Sequence, residues 1–96
     1  MPQVVRKGDI CTGHDCWFPR PNNKGSNSVF VNGIPIHRST DTWVIHCCGS
    51  KSCHTGFTTT GSPTVFSDGL AVARKGDQIS CGSRCNTHSP NVFADG

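Results

Sequence analysis

The chain of 96 residues contains no glutamate and no tyrosine, and only 33% of it is apolar. An ordinary domain carries roughly 45–50% apolar residues, counting glycine, so a thin core is expected. A chain this short also buries a smaller share of its surface than a large one. No apolar run approaches the roughly 20 residues of a membrane span, and residues 1–9 turn polar at once, so neither a signal peptide nor a transmembrane segment is expected. The net charge is only +3, its Lys and Arg are scattered, and two Trp are the only large platforms besides Phe. Nucleic-acid binding usually leaves a basic stripe interleaved with aromatics, so that partner is not expected. No stretch holds a helical period, and 11 Gly with 6 Pro argue further against helices. Without glutamate, a zinc hydrolase lacks its usual base, so neither an enzyme nor a small-molecule substrate is expected.

What the chain does have is seven Cys and five His. Small domains that cannot build a sufficient core are commonly held by disulfides or a metal. With no leader expected, the chain is expected to be made and kept in a reducing cytoplasm, where such clusters more often bind metal, and seven is an odd number for a disulfide framework. The reading therefore favours metal. The Cys spacings within local clusters are 5, 1, 5 and 4, which do not make the paired Cys-x-x-Cys knuckles of a zinc ribbon.

Three copies of one pattern run through the sequence. Gly25-Ser26-Asn27-Ser28-Val29-Phe30-Val31-Asn32-Gly33 matches Gly61-Ser62-Pro63-Thr64-Val65-Phe66-Ser67-Asp68-Gly69, and again Ser89-Pro90-Asn91-Val92-Phe93-Ala94-Asp95-Gly96. A second block follows the first two copies, with Arg38 and Arg74 five residues past the turn glycine and Asp41 and Asp77 eight past it. The third copy ends at Gly96, and its second block stands at the other terminus as Val4-Val5-Arg6-Lys7-Gly8-Asp9. One domain over residues 1–96 is expected, its third repeat closed by the two terminal strands, with pseudo-threefold symmetry. Asn-Gly and Asp-Gly supply the positive φ of a two-residue type I′ turn, so each unit predicts a hairpin. Val, Phe and Ile alternate with small or polar residues, predicting one buried and one wet face. The fold is expected to be all-β with long loops and no substantial helix. The repeated Asp reads as a turn former bonded to backbone N–H groups. The repeated Arg reads equally as a solvated residue or as a fork gripping several carbonyls.

Counting from each Asp gives candidate ligands: Asp9 plus five is His14, Asp41 plus five is His46, and Asp77 plus four is Cys81. Near-equivalent positions in a pseudo-threefold body converge, and tetrahedral Zn²⁺ then needs a fourth ligand. From each Asp to the next repeat's Ser the gap is 17, 21 and 12 residues, so the second loop is longest. It carries His46-Cys47-Cys48-Gly49-Ser50-Lys51-Ser52-Cys53-His54, and His54 is the favoured fourth ligand, with Cys53 and His88 as alternates. Imidazoles with a thiolate suit Zn²⁺ better than Fe²⁺, which more often asks for carboxylates or six ligands. Cys11, Cys16, Cys47, Cys48, Cys53 and Cys85 have no ligand role in the favoured quartet; they are expected either to be small buried hydrophobes or, for Cys48 and Cys53, to form a late disulfide under oxidising conditions.

These residues resemble the PAAR-repeat proteins, the sharp tips on the central spikes of contractile phage tails and type VI secretion systems. The similarity covers essentially the whole chain, through Leu70-Ala71-Val72-Ala73-Arg74-Lys75-Gly76-Asp77, Gly61-Ser62-Pro63-Thr64-Val65-Phe66, Ile79-Ser80-Cys81-Gly82-Ser83 and His46-Cys47-Cys48-Gly49. Its length and Cys-rich middle loop make it most similar to the short spike-tip members of T4-like phages. The resemblance implies a conical monomer, one per trimeric β-helical spike, that binds the spike's blunt end. It also implies a metal held near the apex by three His and one Cys, transient contact with a target membrane, and a place in the virion after assembly in the host cytoplasm. No fused effector is expected. Pro-Ala-Ala-Arg itself is nowhere intact, standing as Pro35-Ile36-His37-Arg38 and Ala71-Val72-Ala73-Arg74, and Thr40 replaces the glycine before Asp41.

Overall fold

The Asn-Gly and Asp-Gly pairs act as their chemistry dictates. Asn32 and Gly33 have φ of 56° and 76°, and Asp68 and Gly69 have 54° and 80°, so both central residues of each turn sit in the left-handed region that a type I′ hairpin needs. The computed structural model describes residues 1–49 and 52–94. Its strands are β1 (Phe30–Val31), β2 (Ile34–Pro35), β3 (His46–Cys47), β4 (Cys53–His54), β5 (Phe66–Ser67) and β6 (Leu70–Ala71). They pair antiparallel as β1–β2, β3–β4 and β5–β6. The turn expected at Asp95-Gly96 lies outside the described residues, as do Ser50 and Lys51. The segment just before it pairs with the other terminus: Gln3 bridges Phe93, Val4 N–H donates to Val92 O at 2.9 Å, and Ala94 N–H donates to Pro2 O at 3.1 Å. No helix occurs among the described residues.

The second blocks join the three units into a closed ring. Arg6 bridges Ile36, Arg38 bridges Val72, and Arg74 bridges Val4. Inside this ring His37 N–H donates to Val5 O at 2.9 Å, Ala73 N–H to His37 O at 3.0 Å, and Val5 N–H to Ala73 O at 2.9 Å. Three bonds running head to tail around one triangle give a single chain its pseudo-threefold axis. Extents of 40 × 24 × 23 Å, one long axis and two nearly equal short ones, fit such a body.

Strand geometry then sorts neighbours to opposite sides of the ring, because successive side chains point apart. Val4, Ile36 and Val72 pack with Val31 and Ala94 in one core cluster; Val5 and Ala73 pack with Cys11, Trp43, Ile79 and Cys85 in another. The expectation that Phe lies on the buried face is wrong. Phe30, Phe66 and Phe93 are 56%, 57% and 47% exposed, whereas Val31 and Ser67 beside them are buried. Three units meeting at one axis leave room there for Val, Ala and Ser but not for three phenyl rings. The same crowding explains Gly25 and Gly61, where an added Cβ would come within 2.9 Å of Ile36 O and of Val72 O respectively.

The serines opening each repeat are buried and cap its turn. Ser26 Oγ accepts from Val29 N, Ser62 Oγ from Val65 N, and Ser89 Oγ from Val92 N, at 2.9, 3.0 and 3.1 Å. They also reach across units: Ser26 donates to Asp68 Oδ2 and Ser89 to Asn32 Oδ1, both at 2.6 Å. Hydroxyls of Ser26 and Ser28 are the main cause holding the Asp68 carboxyl down at about 2.

Each repeated Asp accepts from the backbone of its own Arg, as a turn former should: Arg6, Arg38 and Arg74 N–H donate to Asp9, Asp41 and Asp77 Oδ2 at 2.7, 2.9 and 2.6 Å. The same carboxylates bind the guanidinium groups. The arginines are therefore not solvated residues, and their chief partner is a carboxylate rather than a set of carbonyls. Single carbonyls are also reached, His88 O by Arg6 and Gly61 O by Arg74, while Arg38 reaches Asp68 Oδ2 at 2.8 Å.

Thr40 keeps the turn that glycine makes elsewhere. Its φ of 74° compares with 90° at Gly8 and 89° at Gly76. A β-branched residue in that region is strained by roughly 1–2 kcal/mol, partly offset by the backbone entropy glycine would lose. Thr40→Gly is therefore expected to stabilise the fold by about 0.5–1 kcal/mol, raising the melting temperature by a few degrees. A lower melting temperature would show that the hydroxyl or methyl contributes more than the strain costs.

His37 breaks the threefold pattern, since its counterparts in the ring are Val5 and Ala73. It is fully buried, with Nδ1 2.8 Å from Lys24 O and Nε2 2.7 Å from Thr58 Oγ1, and its ring meets Trp43 edge-on at 5.2 Å. Trp43 Nε1–H donates to the same Thr58 hydroxyl at 2.9 Å. Burial pushes the His37 pKa down, against the Lys24 carbonyl and Asp41, which push it up. The unfolded chain then binds the extra proton more readily, so this contribution is complete above about pH 6.5 and declines as pH falls below it. His37→Gln is expected to flatten the melting temperature against pH between 7 and 5 relative to the parent protein. An unchanged slope would remove His37 as a source of acid sensitivity.

Candidate metal centre

Beyond the ring, each repeat runs from its Asp into a loop, and the loops bring His14, His46, His54 and Cys81 together. One ligand atom from each lies within 4.8 Å of all the others. His14 Nε2 is 2.9 Å and His46 Nε2 2.6 Å from His54 Nε2. A tetrahedron with bonds of about 2.0–2.3 Å places its ligand atoms roughly 3.3–3.6 Å apart, so His14 and His46 stand closer to His54 than an ion between them requires, and a small outward turn of these rings would seat it.

Local structure explains each position. His46 and His54 stand directly opposite in the β3–β4 hairpin, with Cys47 and Cys53 as the next pair. His46 Nδ1 lies 3.0 Å from Phe18 O; a proton there leaves Nε2 as a lone-pair donor, the usual arrangement for a metal-binding imidazole. Withdrawal from water, with smaller repulsion from His46 and His14, pushes the His54 pKa down and favours its neutral form. Two short contacts then converge on one His54 nitrogen, which has at most one proton to offer. A shared cation satisfies all three lone pairs. Cys81 comes from the tight turn after Ile79 and packs against the core cluster of Val5, Trp43 and Cys85. The donor set fits a metal ion.

The alternates do not join the cluster. Cys53 is bonded to Cys47 and so cannot ligate. His88 is outside the cluster, with Nδ1 2.7 Å from Ser89 O. The Cys48–Cys53 pairing is also corrected: Cys48 is bonded to Cys16 and Cys53 to Cys47. Strand register is the reason, since Cys47 faces Cys53 across the hairpin and the following residue turns toward the first loop. Two disulfides and a cluster able to hold a metal ion thus stand side by side in this chain. Cys11 and Cys85 are free and buried, as small hydrophobes should be, and burial pushes the Cys85 thiol up to about 12.

Sequence reasoning missed the shell around the ligands. Trp17 stacks on His14 at 5.1 Å, tilts over His54 at 4.8 Å, and donates Nε1–H to Ser52 O at 2.7 Å. The palindromic order His46-Cys47…Cys53-His54 was a usable signal, because it reads as a hairpin with like residues opposed.

No helix among the described residues is long and apolar enough to cross a membrane. No curated protein matches the chain. The PAAR motif matches residues 12–87, a span that includes all four converging side chains, two complete second blocks and both described type I′ turns. With more than half its length matched, the chain belongs to the PAAR-motif family.

Proposed function

We propose that the protein is a structural, metal-stapled tip that caps a trimeric β-helical spike of a contractile injection machine, one copy per trimer. The carrying observation is the ring built by Val5, His37 and Ala73, which gives one chain three near-equivalent faces. On these faces the hairpins leave Val29, Phe30, Val65, Phe66 and Phe93 exposed, an apolar set repeated about the pseudo-threefold axis. A threefold spike end offers three equivalent sites to such a set, and each phenyl buried there contributes roughly 1.5–3 kcal/mol. Membership in the PAAR-motif family supports the same role.

Zn²⁺ is the ion that three imidazoles and one thiolate suit best, and His14, His46, His54 and Cys81 hold it. Four protein ligands close the coordination shell, which suits a staple rather than a catalyst. Phe18 and Ile45, 56% and 53% exposed, flank His46 and give the metal-bearing loops an apolar surface for brief contact with a target membrane. The tip then travels in the virion at the end of the tail spike. The test is to mix the purified protein with a trimeric spike β-helix and measure mass by light scattering. One tip per three spike chains is expected, and Phe30→Ser/Phe66→Ser/Phe93→Ser should abolish the complex while keeping metal content. No complex, or full binding by the triple variant, would refute the capping role.

A further inference from the structure

The four disulfide cysteines are distributed around the ligands. Cys16 is two residues from His14, Cys47 and Cys48 follow His46, and Cys53 precedes His54, whereas Cys81 has no such neighbour. Within β3–β4 the pair His46↔His54 is followed directly by Cys47↔Cys53. Alternation along a strand sends the imidazoles to one side and the sulfurs to the other. Cys16–Cys48 ties the first loop to the second across 32 residues, so the segments bearing all three histidines form one cross-linked unit. Cys16, Cys47 and Cys53 are exposed, within reach of small thiols and disulfides.

Reduced, the same segments carry four thiols within two residues of the imidazoles, and once the loops are free to turn, thiolates compete strongly for soft ions such as Zn²⁺. Oxidised, those sulfurs cannot ligate. We propose that the two disulfides act as a redox lock on the metal centre: the reduced loops load and exchange the ion, and oxidation removes the competing thiolates and encloses it in His14, His46, His54 and Cys81. This rests on the metal reading of the site, not on the capping of a spike. For each pair two S–H bonds break and one S–S bond forms; two electrons and two protons pass to a low-molecular-weight disulfide, which leaves as two thiols. Closing the hairpin at Cys47–Cys53 and tethering Cys16–Cys48 restricts the opening through which His54 and His14 would release the ion.

Three readouts on the whole chain test this. Alkylation with mass spectrometry after treatment with glutathione disulfide should show Cys16, Cys47, Cys48 and Cys53 paired. Transfer of Zn²⁺ to a chromogenic chelator should be at least tenfold slower from the oxidised than from the phosphine-reduced protein. The Co²⁺-loaded protein should show thiolate-to-cobalt absorption for one sulfur when oxidised and for more when reduced. In Cys16→Ser/Cys47→Ser/Cys48→Ser/Cys53→Ser the release rate should no longer depend on reductant; reducing the parent protein makes the comparison without any substitution. Equal release rates, unchanged cobalt spectra, or thiols still free after oxidation would overturn the lock while leaving the metal site standing. Absence of bound metal in both states would overturn the metal reading and the lock with it.

Discussion

Asp41→Ala is expected to lower stability by about 3–5 kcal/mol, the loss typical when one partner of a buried ion pair is removed. Asp41 accepts from Arg38 at three atoms: N and Nε to Oδ2 at 2.9 Å each, and Nη2 to Oδ1 at 3.1 Å. Its side chain is 1% exposed, so deletion leaves the Arg38 backbone N–H and Nε without their buried acceptor and the guanidinium with only the partly exposed Asp68 as a partner. Net stability of a domain this size is about 5–15 kcal/mol, and each kcal/mol moves the melting temperature by roughly 4–8 °C. A drop of more than about 12 °C should follow. The three repeats provide an internal control. Side-chain exposure rises from 1% at Asp41 to 7% at Asp77 and 10% at Asp9, so the alanine variants should rank in that order of damage. Arg38→Lys should not restore the parent stability, because an ammonium cannot fork across two carboxylate oxygens and also reach Asp68. Thermal and denaturant unfolding of the three variants measure the ranking, and a loss under 1 kcal/mol at Asp41 would show that the pair is not a structural pin.

Removing the metal is expected to have the second large effect. Structural Zn²⁺ sites supply roughly 10–16 kcal/mol of apparent binding free energy, comparable with the whole net stability of a small domain. With 33% apolar residues and two modest core clusters, this chain has little else to hold the loops beyond the ring. Chelation of the loaded protein should lower its melting temperature by more than about 15 °C, and His54→Ala should weaken Zn²⁺ binding by at least about a hundredfold, a fraction of that total. Acid should release the ion as well, since each imidazole must shed its proton to ligate. Calorimetry with and without chelator reads the first effect, competition with a chromogenic chelator the second. If the ion leaves and the melting temperature stays, the centre is not a staple.

Much of the architecture was legible because it rests on local rules. Asn32-Gly33 and Asp68-Gly69 can hardly be anything but type I′ turns between β-rich flanks. The third second block, displaced to residues 4–9, was visible as a repeat, and its neighbours across the ring follow from that displacement. His14, His46 and Cys81 could be aligned because loops of nearly equal offset from one ring, five, five and four residues past the repeated Asp, arrive at one place. Burial was less legible. The period of two correctly marks alternating faces, but it does not say that Phe30 and Phe66 face outward while Ser67 faces in. That choice depends on how much volume three units leave around a shared axis, a quantity no single hairpin contains. His37 is similar: from sequence it is one more histidine, and only in the ring does it become a buried bridge between Lys24 O and Thr58.

By itself, the sequence determined that this is a three-repeat, all-β, helix-poor chain in which two histidines and one cysteine fall at near-matching offsets, because turn chemistry, repeat spacing and ligand type are local properties. Tertiary structure alone decided which sulfurs pair and which way the phenyl rings point. It also decided that each repeated Arg is paired with its own Asp, with Arg38 and Arg74 buried in doing so. Disulfide partners, exposure and ion-pair burial depend on distances between segments far apart in the chain, and those distances exist only once the ring has closed.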